Sequence, residues 1–146
     1  MKKKIYIFDI DGTLSDCEHR LIYIDGSLGC KDWDLFYSLC GKDKPIEDVC
    51  RIYRELHIDV ICVTGRTEKY RAETEQWLKD NDLPFHDLFM RPDGDHRPDY
   101  ELKKEIYEKY IKDDYKVLGV FEDRTQVVKM WRSLGLTCFQ VACGDY

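Results

Sequence analysis

Four short apolar runs, spaced by stretches of helical periodicity, limit what this chain can fold into. Ile5 to Asp9, Ile58 to Thr64, Val117 to Phe121 and Thr137 to Val141 are rich in β-branched and aromatic residues. Runs that are apolar along their whole length suit strands covered on both faces, as in a parallel sheet. Between them, Pro45 to Leu56 places Ile46, Val49, Ile52, Tyr53 and Leu56 on one helical face with Pro45 in the first turn. Thr67 to Leu78 carries a sparser stripe, Tyr100 to Ile111 aligns Leu102, Ile106 and Tyr110, and Gln126 to Leu134 stops at Gly135, a C-cap signal. Strands alternating with helices predict an α/β fold with a mostly parallel central sheet and right-handed crossovers.

Two segments stand outside this alternation. Residues 14–44 form a long irregular insertion, and Arg91 to Asp99 (RPDGDHRPD) is a loop rich in proline, glycine and charge. Long loops in compact domains tend to be functional. A chain of 146 residues predicts one domain over 1–146, and 43% hydrophobic with 36% charged residues excludes disordered and fibrous classes. No apolar run approaches the roughly 20 residues that span a bilayer, and Ile5 to Phe8 is too short for a signal peptide, so the expected location is cytoplasmic, with no membrane partner. The net charge of −6 lacks the broad basic footprint of a protein that grips long nucleic acid, leaving room only for a local basic site. Seven cysteines without a C-x-x-C pair predict reduced thiols. The four histidines share no metal-ligand spacing.

The chemistry concentrates after the first run, in Asp9-Ile10-Asp11-Gly12-Thr13. Two carboxylates at the C-terminal edge of a sheet repel each other unless a cation joins them, and a glycine there permits a tight loop. A hard divalent ion with oxygen ligands, Mg²⁺, resolves the repulsion and attracts phosphate.

Asp9-x-Asp11-Gly12-Thr13 at a strand end resembles the first motif of the haloacid-dehalogenase (HAD) superfamily of phosphotransferases. The remaining motifs follow in order: Thr64-Gly65-Arg66 ends an apolar run, Lys103 lies on the helix before the third run, and Glu122-Asp123 follows that run. DIDGTLSDCEHR, VTGR and EDRTQVVKMWRSLGLTCFQVACGDY further resemble the 3′-phosphatase domains of bacteriophage polynucleotide kinases. The resemblance implies a HAD-like Rossmannoid three-layer sandwich in which 14–44 is at most a small cap. No G-x-x-x-x-G-K-[ST] occurs, Phe36 standing where the loop's first glycine would precede Gly41-Lys42, so no 5′-kinase activity is expected.

The implied reaction is Mg²⁺-dependent hydrolysis of 3′-phosphate ends of DNA or RNA, with 2′,3′-cyclic phosphates as a further substrate, in end repair. Asp9 would attack phosphorus to form an aspartyl-phosphate, and Asp11 would serve as general acid and base, a role suited to a raised pKa. Thr64, Lys103 and the main chain around Gly12, Thr13 and Gly65 would hold the phosphoryl oxygens. Asp9, the Asp11 carbonyl, Asp123 and Glu122 are the expected metal ligands; two aspartates are the relative's pattern, so Glu122 binds metal directly, binds it through water, or only holds Lys103. Arg20 and Arg66 are expected phosphate contacts. Tyr23, Trp33 and Tyr37 either form a base-stacking platform or, for Trp33 and Tyr37, fill the core. The alternative substrate is a free nucleotide or another small phosphoester. The resemblance leaves the oligomeric state open and places a separate kinase and ligase as cooperating partners, in host cytoplasm for a phage-encoded protein.

Overall fold

Side chains along the central strands alternate between two apolar layers. In the computed structural model, which describes residues 1–145, β1 (Lys3–Phe8) pairs in parallel with β4 (Asp59–Thr67) and β6 (Tyr115–Glu122). Parallel β5 (Asp87–Arg91) and β7 (Cys138–Gln140) complete a five-stranded sheet of order β5-β4-β1-β6-β7. Ile5, Ile7, Ile61, Val63 and Val120 pack on one face against Leu102 and Ile106 of α4 (Asp99–Ile106) and Val127, Val128 and Trp131 of α5 (Thr125–Ser133). Phe8, Val60 and Cys62 pack on the other against Val49 and Tyr53 of α2 (Glu47–Glu55) and Trp77 and Leu78 of α3 (Arg71–Asp80). Helices on both faces of a parallel sheet are the expected three-layer α/β sandwich. No helix among the described residues is long and apolar enough to cross a membrane.

Register places the chemistry. Phe8 is opposite Cys62 on one side and Phe121 on the other. Asp9, Thr64 and Glu122-Asp123 therefore leave three adjacent strands at the same rim, where open α/β sheets bind ligands. The insertion is less irregular than its sequence suggests. β2 (Ser15–Asp16) and β3 (Lys44–Pro45) zip its ends together antiparallel, and α1 (Trp33–Ser38) with Phe36, Tyr37 and Cys40 builds a small core with Tyr70.

The structure corrects four readings. Strand β5 went unread because Asp87 and Arg91 bracket only three apolar residues. Thr67 ends β4 instead of opening a helix, α3 starting at Arg71 after a 3₁₀ turn. Ile52 is exposed on α2. After α4, residues Tyr107–Ile111 form a π turn, in which Lys112 N donates to the Tyr107 carbonyl at 2.8 Å. The wider turn rotates Tyr110 outward, away from Leu102 and Ile106, onto the Phe89 ring at 5.3 Å.

Candidate active site

Three carboxylates from two strand ends, Asp9, Glu122 and Asp123, each offer an oxygen, and these oxygens lie within 4.8 Å of one another. All three residues are buried. Between them the Lys103 ammonium, 1% exposed, donates to Asp9 Oδ1 at 2.8 Å and to Glu122 Oε2 at 2.9 Å. The Thr13 hydroxyl lies 3.0 Å from Asp9 Oδ2 and 3.4 Å from Asp123 Oδ1. Glu122 Oε1 accepts from the Asp123 amide at 3.1 Å, so both Glu122 oxygens are engaged.

Among the described residues, one buried ammonium faces three buried carboxylates. Burial, with the Glu122 charge next, pushes Asp9 well above the ordinary carboxylate range despite Lys103. The same causes push Asp123 up to about 7. Glu122 is also buried, but Lys103 and its hydrogen bonds outweigh this and hold it low. Such a set of hard oxygen donors fits a divalent cation such as Mg²⁺.

Asp11 belongs to a different network. Its Oδ1 accepts from Arg20 Nη2 at 2.6 Å, from Arg66 Nη2 at 2.6 Å and Nε at 3.1 Å, and from the Ser15 hydroxyl at 3.1 Å, while Oδ2 takes no bond from the described residues. Burial raises the Asp11 pKa, yet the Arg66 and Arg20 guanidinium groups more than cancel it and hold the carboxyl well below its usual range. A raised pKa for Asp11 is thus corrected: two cations face one oxygen. Asp43, fully covered, clamps both arginines, accepting from Arg20 Nε at 2.8 Å and Nη2 at 2.5 Å and from Arg66 Nη2 at 3.3 Å.

Direct phosphate contact by Arg20 and Arg66 is also corrected, since both are 0% exposed and committed to Asp11 and Asp43. The Gly12 amide donates to the Ser15 carbonyl at 2.8 Å and the Thr13 amide to Ile10 at 3.1 Å, so these amides brace the loop instead of a ligand. Gly12 has a φ of 81°, the backbone freedom its place in the loop requires. Thr64 lines the cleft; its hydroxyl accepts from the Arg66 amide at 3.1 Å and keeps its own proton to donate. Gly65 has a steric reason: a Cβ there would stand 2.5 Å from Asp99 Oδ1.

Two contributors, Asp99 and Asp43, were missed in the sequence, and Tyr37 was read only as a stacking or core ring. Asp99 accepts from Arg91 Nη2 at 2.5 Å and Arg124 Nη1 at 3.2 Å. Its position one helical turn before Lys103 was the available signal. Tyr37 donates to the Gly65 carbonyl at 2.9 Å, tying the insertion to the rim. Asp43, at the end of an irregular stretch, gave no signal.

Residues 3–146 match the family model of the phosphatase domain of polynucleotide kinase, PNKP. The chain belongs to this family. It is thereby a phosphomonoesterase of HAD fold. A protein of Autographa californica nuclear polyhedrosis virus, named as a bifunctional polynucleotide kinase/RNA ligase, is 36% identical over 143 residues, 94% of this chain and 19% of its own. The solved Pnkp1/Rnl/Hen1 RNA repair complex contains a chain that superposes with TM-score 0.82 at 33% identity, over 99% of this chain and 44% of that one. L-2-haloacid dehalogenase from Xanthobacter autotrophicus, at 14% identity and TM-score 0.56 over 97% of this chain and 78% of its own, shares the fold alone. The chain spans under half the length of the viral and repair-complex relatives.

Proposed function

We propose that this domain is a Mg²⁺-dependent polynucleotide 3′-phosphatase that acts on 3′-phosphate ends, RNA ends foremost, before ligation. The observation that carries the reading is Asp9, fixed by Lys103 and Thr13 beside Glu122 and Asp123 at the floor of a cleft of about 330 Å³. The RNA preference and the cooperation with a separate kinase and ligase draw support from the names of the relatives. Seven free thiols, five of them buried, suit a reducing cytoplasm.

Asp9 attacks phosphorus in line; the bond to the sugar oxygen breaks as the aspartyl-phosphate forms. Lys103 and the Thr64 hydroxyl hold the equatorial oxygens, where charge stabilisation does most of the work. Asp11 Oδ2, the oxygen left open, protonates the departing sugar oxygen and then takes a proton from the water that cleaves the acyl-phosphate. Its ionised state suits the second half directly, and a phosphoryl dianion beside it favours the protonation needed for the first. Asp9, Asp123, Glu122 and the Asp11 carbonyl would hold Mg²⁺, which supplies charge neutralisation and orientation of the phosphoryl group.

The test compares an oligonucleotide bearing 3′-phosphate with the same strand bearing 5′-phosphate and with a mononucleotide, with Mg²⁺ and with EDTA. Fast, EDTA-sensitive release from the 3′ end alone is expected. Equal or faster release from the mononucleotide would assign the domain to small phosphoesters instead.

A further inference from the structure

We infer that the 14–44 insertion carries a stacking subsite for the 3′-terminal base of the substrate, with Trp33 as its aromatic surface. This rests on the polynucleotide reading above and specifies which part of the strand is gripped.

Two depressions meet at the rim. One, of about 330 Å³, has Asp9, Asp11 and Thr64 on its floor and Leu21, Ile24 and Trp33 on the insertion side. The other, of about 380 Å³, lies along the 91–98 loop and includes Arg97 and Gln126. Trp33 and Tyr37 line both, so the indole stands at the divide between the scissile position and the next unit of a strand. Trp33 was expected to reach the core if it did not stack. It is instead 45% exposed, while Phe36 and Tyr37 beneath it are buried.

The surface is held in place. The Trp33 ring contacts Phe36 edge-on at 5.8 Å and Tyr37 at 5.9 Å. The Phe36 ring carries the Arg20 guanidinium at 4.3 Å, and Arg20 reaches Asp11; Tyr37 reaches the Gly65 carbonyl. Two short paths therefore fix the indole relative to the reacting groups, which lowers the ordering cost of binding. Every base has a π-face, so an aromatic wall with aliphatic neighbours grips a terminal nucleoside without reading its sequence.

The test is a coupling measurement on 3′-phosphorylated oligonucleotides that differ only in whether the last nucleoside carries its base, assayed with wild type and Trp33→Ala. Base removal is expected to raise the wild-type KM about tenfold, the scale of base–aromatic stacking. The same removal is expected to have no further effect on W33A, and Trp33→Phe to restore most of the sensitivity. A wild type indifferent to base removal overturns the subsite even if W33A fails to fold, and so does full base sensitivity retained by W33A. A wild type that does not prefer the 3′-phosphorylated strand overturns the polynucleotide reading itself, a separate failure visible before any variant is made.

Discussion

Lys103 Nζ sits 2.8 Å from Asp9 Oδ1, joining residues 94 positions apart. The ammonium and the carboxylates around it are buried together, and removing one member of a buried charge set leaves the others uncompensated. Lys103→Met is therefore expected to lower stability at pH 8 by about 3–5 kcal/mol, read by urea unfolding, and to abolish turnover. The stability loss shrinks at pH 5, where protonation of Asp123 relieves the uncompensated charge.

Metal and pH act on the same cluster. Asp9 is held well above, and Asp123 at about 7 against, their ordinary range. Between about pH 4 and 7 the folded protein thus holds more protons than the unfolded chain, so metal-free stability falls as pH rises through that window. Divalent metal binds the deprotonated groups. The rise in Tm on adding Mg²⁺ should be small at pH 5.5 and larger at pH 8; a rise independent of pH would contradict the cluster as its site.

Asp11 titrates in the opposite sense. Its low folded pKa gives stability present above its unfolded value and lost as the solution becomes more acid. Asp11→Asn should flatten that acid limb while lowering kcat by roughly 10²–10⁴-fold, the scale of a positioned acid–base group.

Asp43 should matter as much without touching the cleft floor. Asp43→Ala leaves the Arg20 and Arg66 guanidinium groups buried with Asp11 as their one shared carboxylate. A loss of about 3–5 kcal/mol is expected from the orphaned charge, together with a fall in kcat exceeding any change in KM. An unaltered kcat would show that Asp11 keeps its aim without this clamp.

Gly65→Ala tests close packing. The new methyl would collide with Asp99 Oδ1 at 2.5 Å. Asp99 also holds Arg91 and Arg124, so a loss of about 1–3 kcal/mol is expected by thermal unfolding.

Much of this was written in the order of residues. Central strands buried on both faces produce continuous apolar runs, which is why β1, β4 and β6 could be read; the edge strand β7 was legible from the β-branched and aromatic residues of Thr137 to Val141, and carboxylates at strand ends produce a local motif. Edge strand β5 could not be read, because three apolar residues between charges carry too weak a period. The roles of Arg20 and Arg66 were misread for a related reason. A guanidinium has the same sequence signature whether it faces a ligand or a buried acid, and the deciding partner, Asp43, lies 23 residues from each. The π turn that turns Tyr110 outward likewise depends on one shifted backbone bond that no side-chain pattern announces.

The all-parallel order β5-β4-β1-β6-β7 puts the chain's first and sixth strands side by side. A nascent polypeptide that stops before β6 possesses Asp9 but neither Glu122 nor Asp123, and its central strand lacks a neighbour. The acidic cluster is thus complete only once β6 has emerged, and because the contacts it needs are remote in sequence, refolding should be slow for a domain of this size.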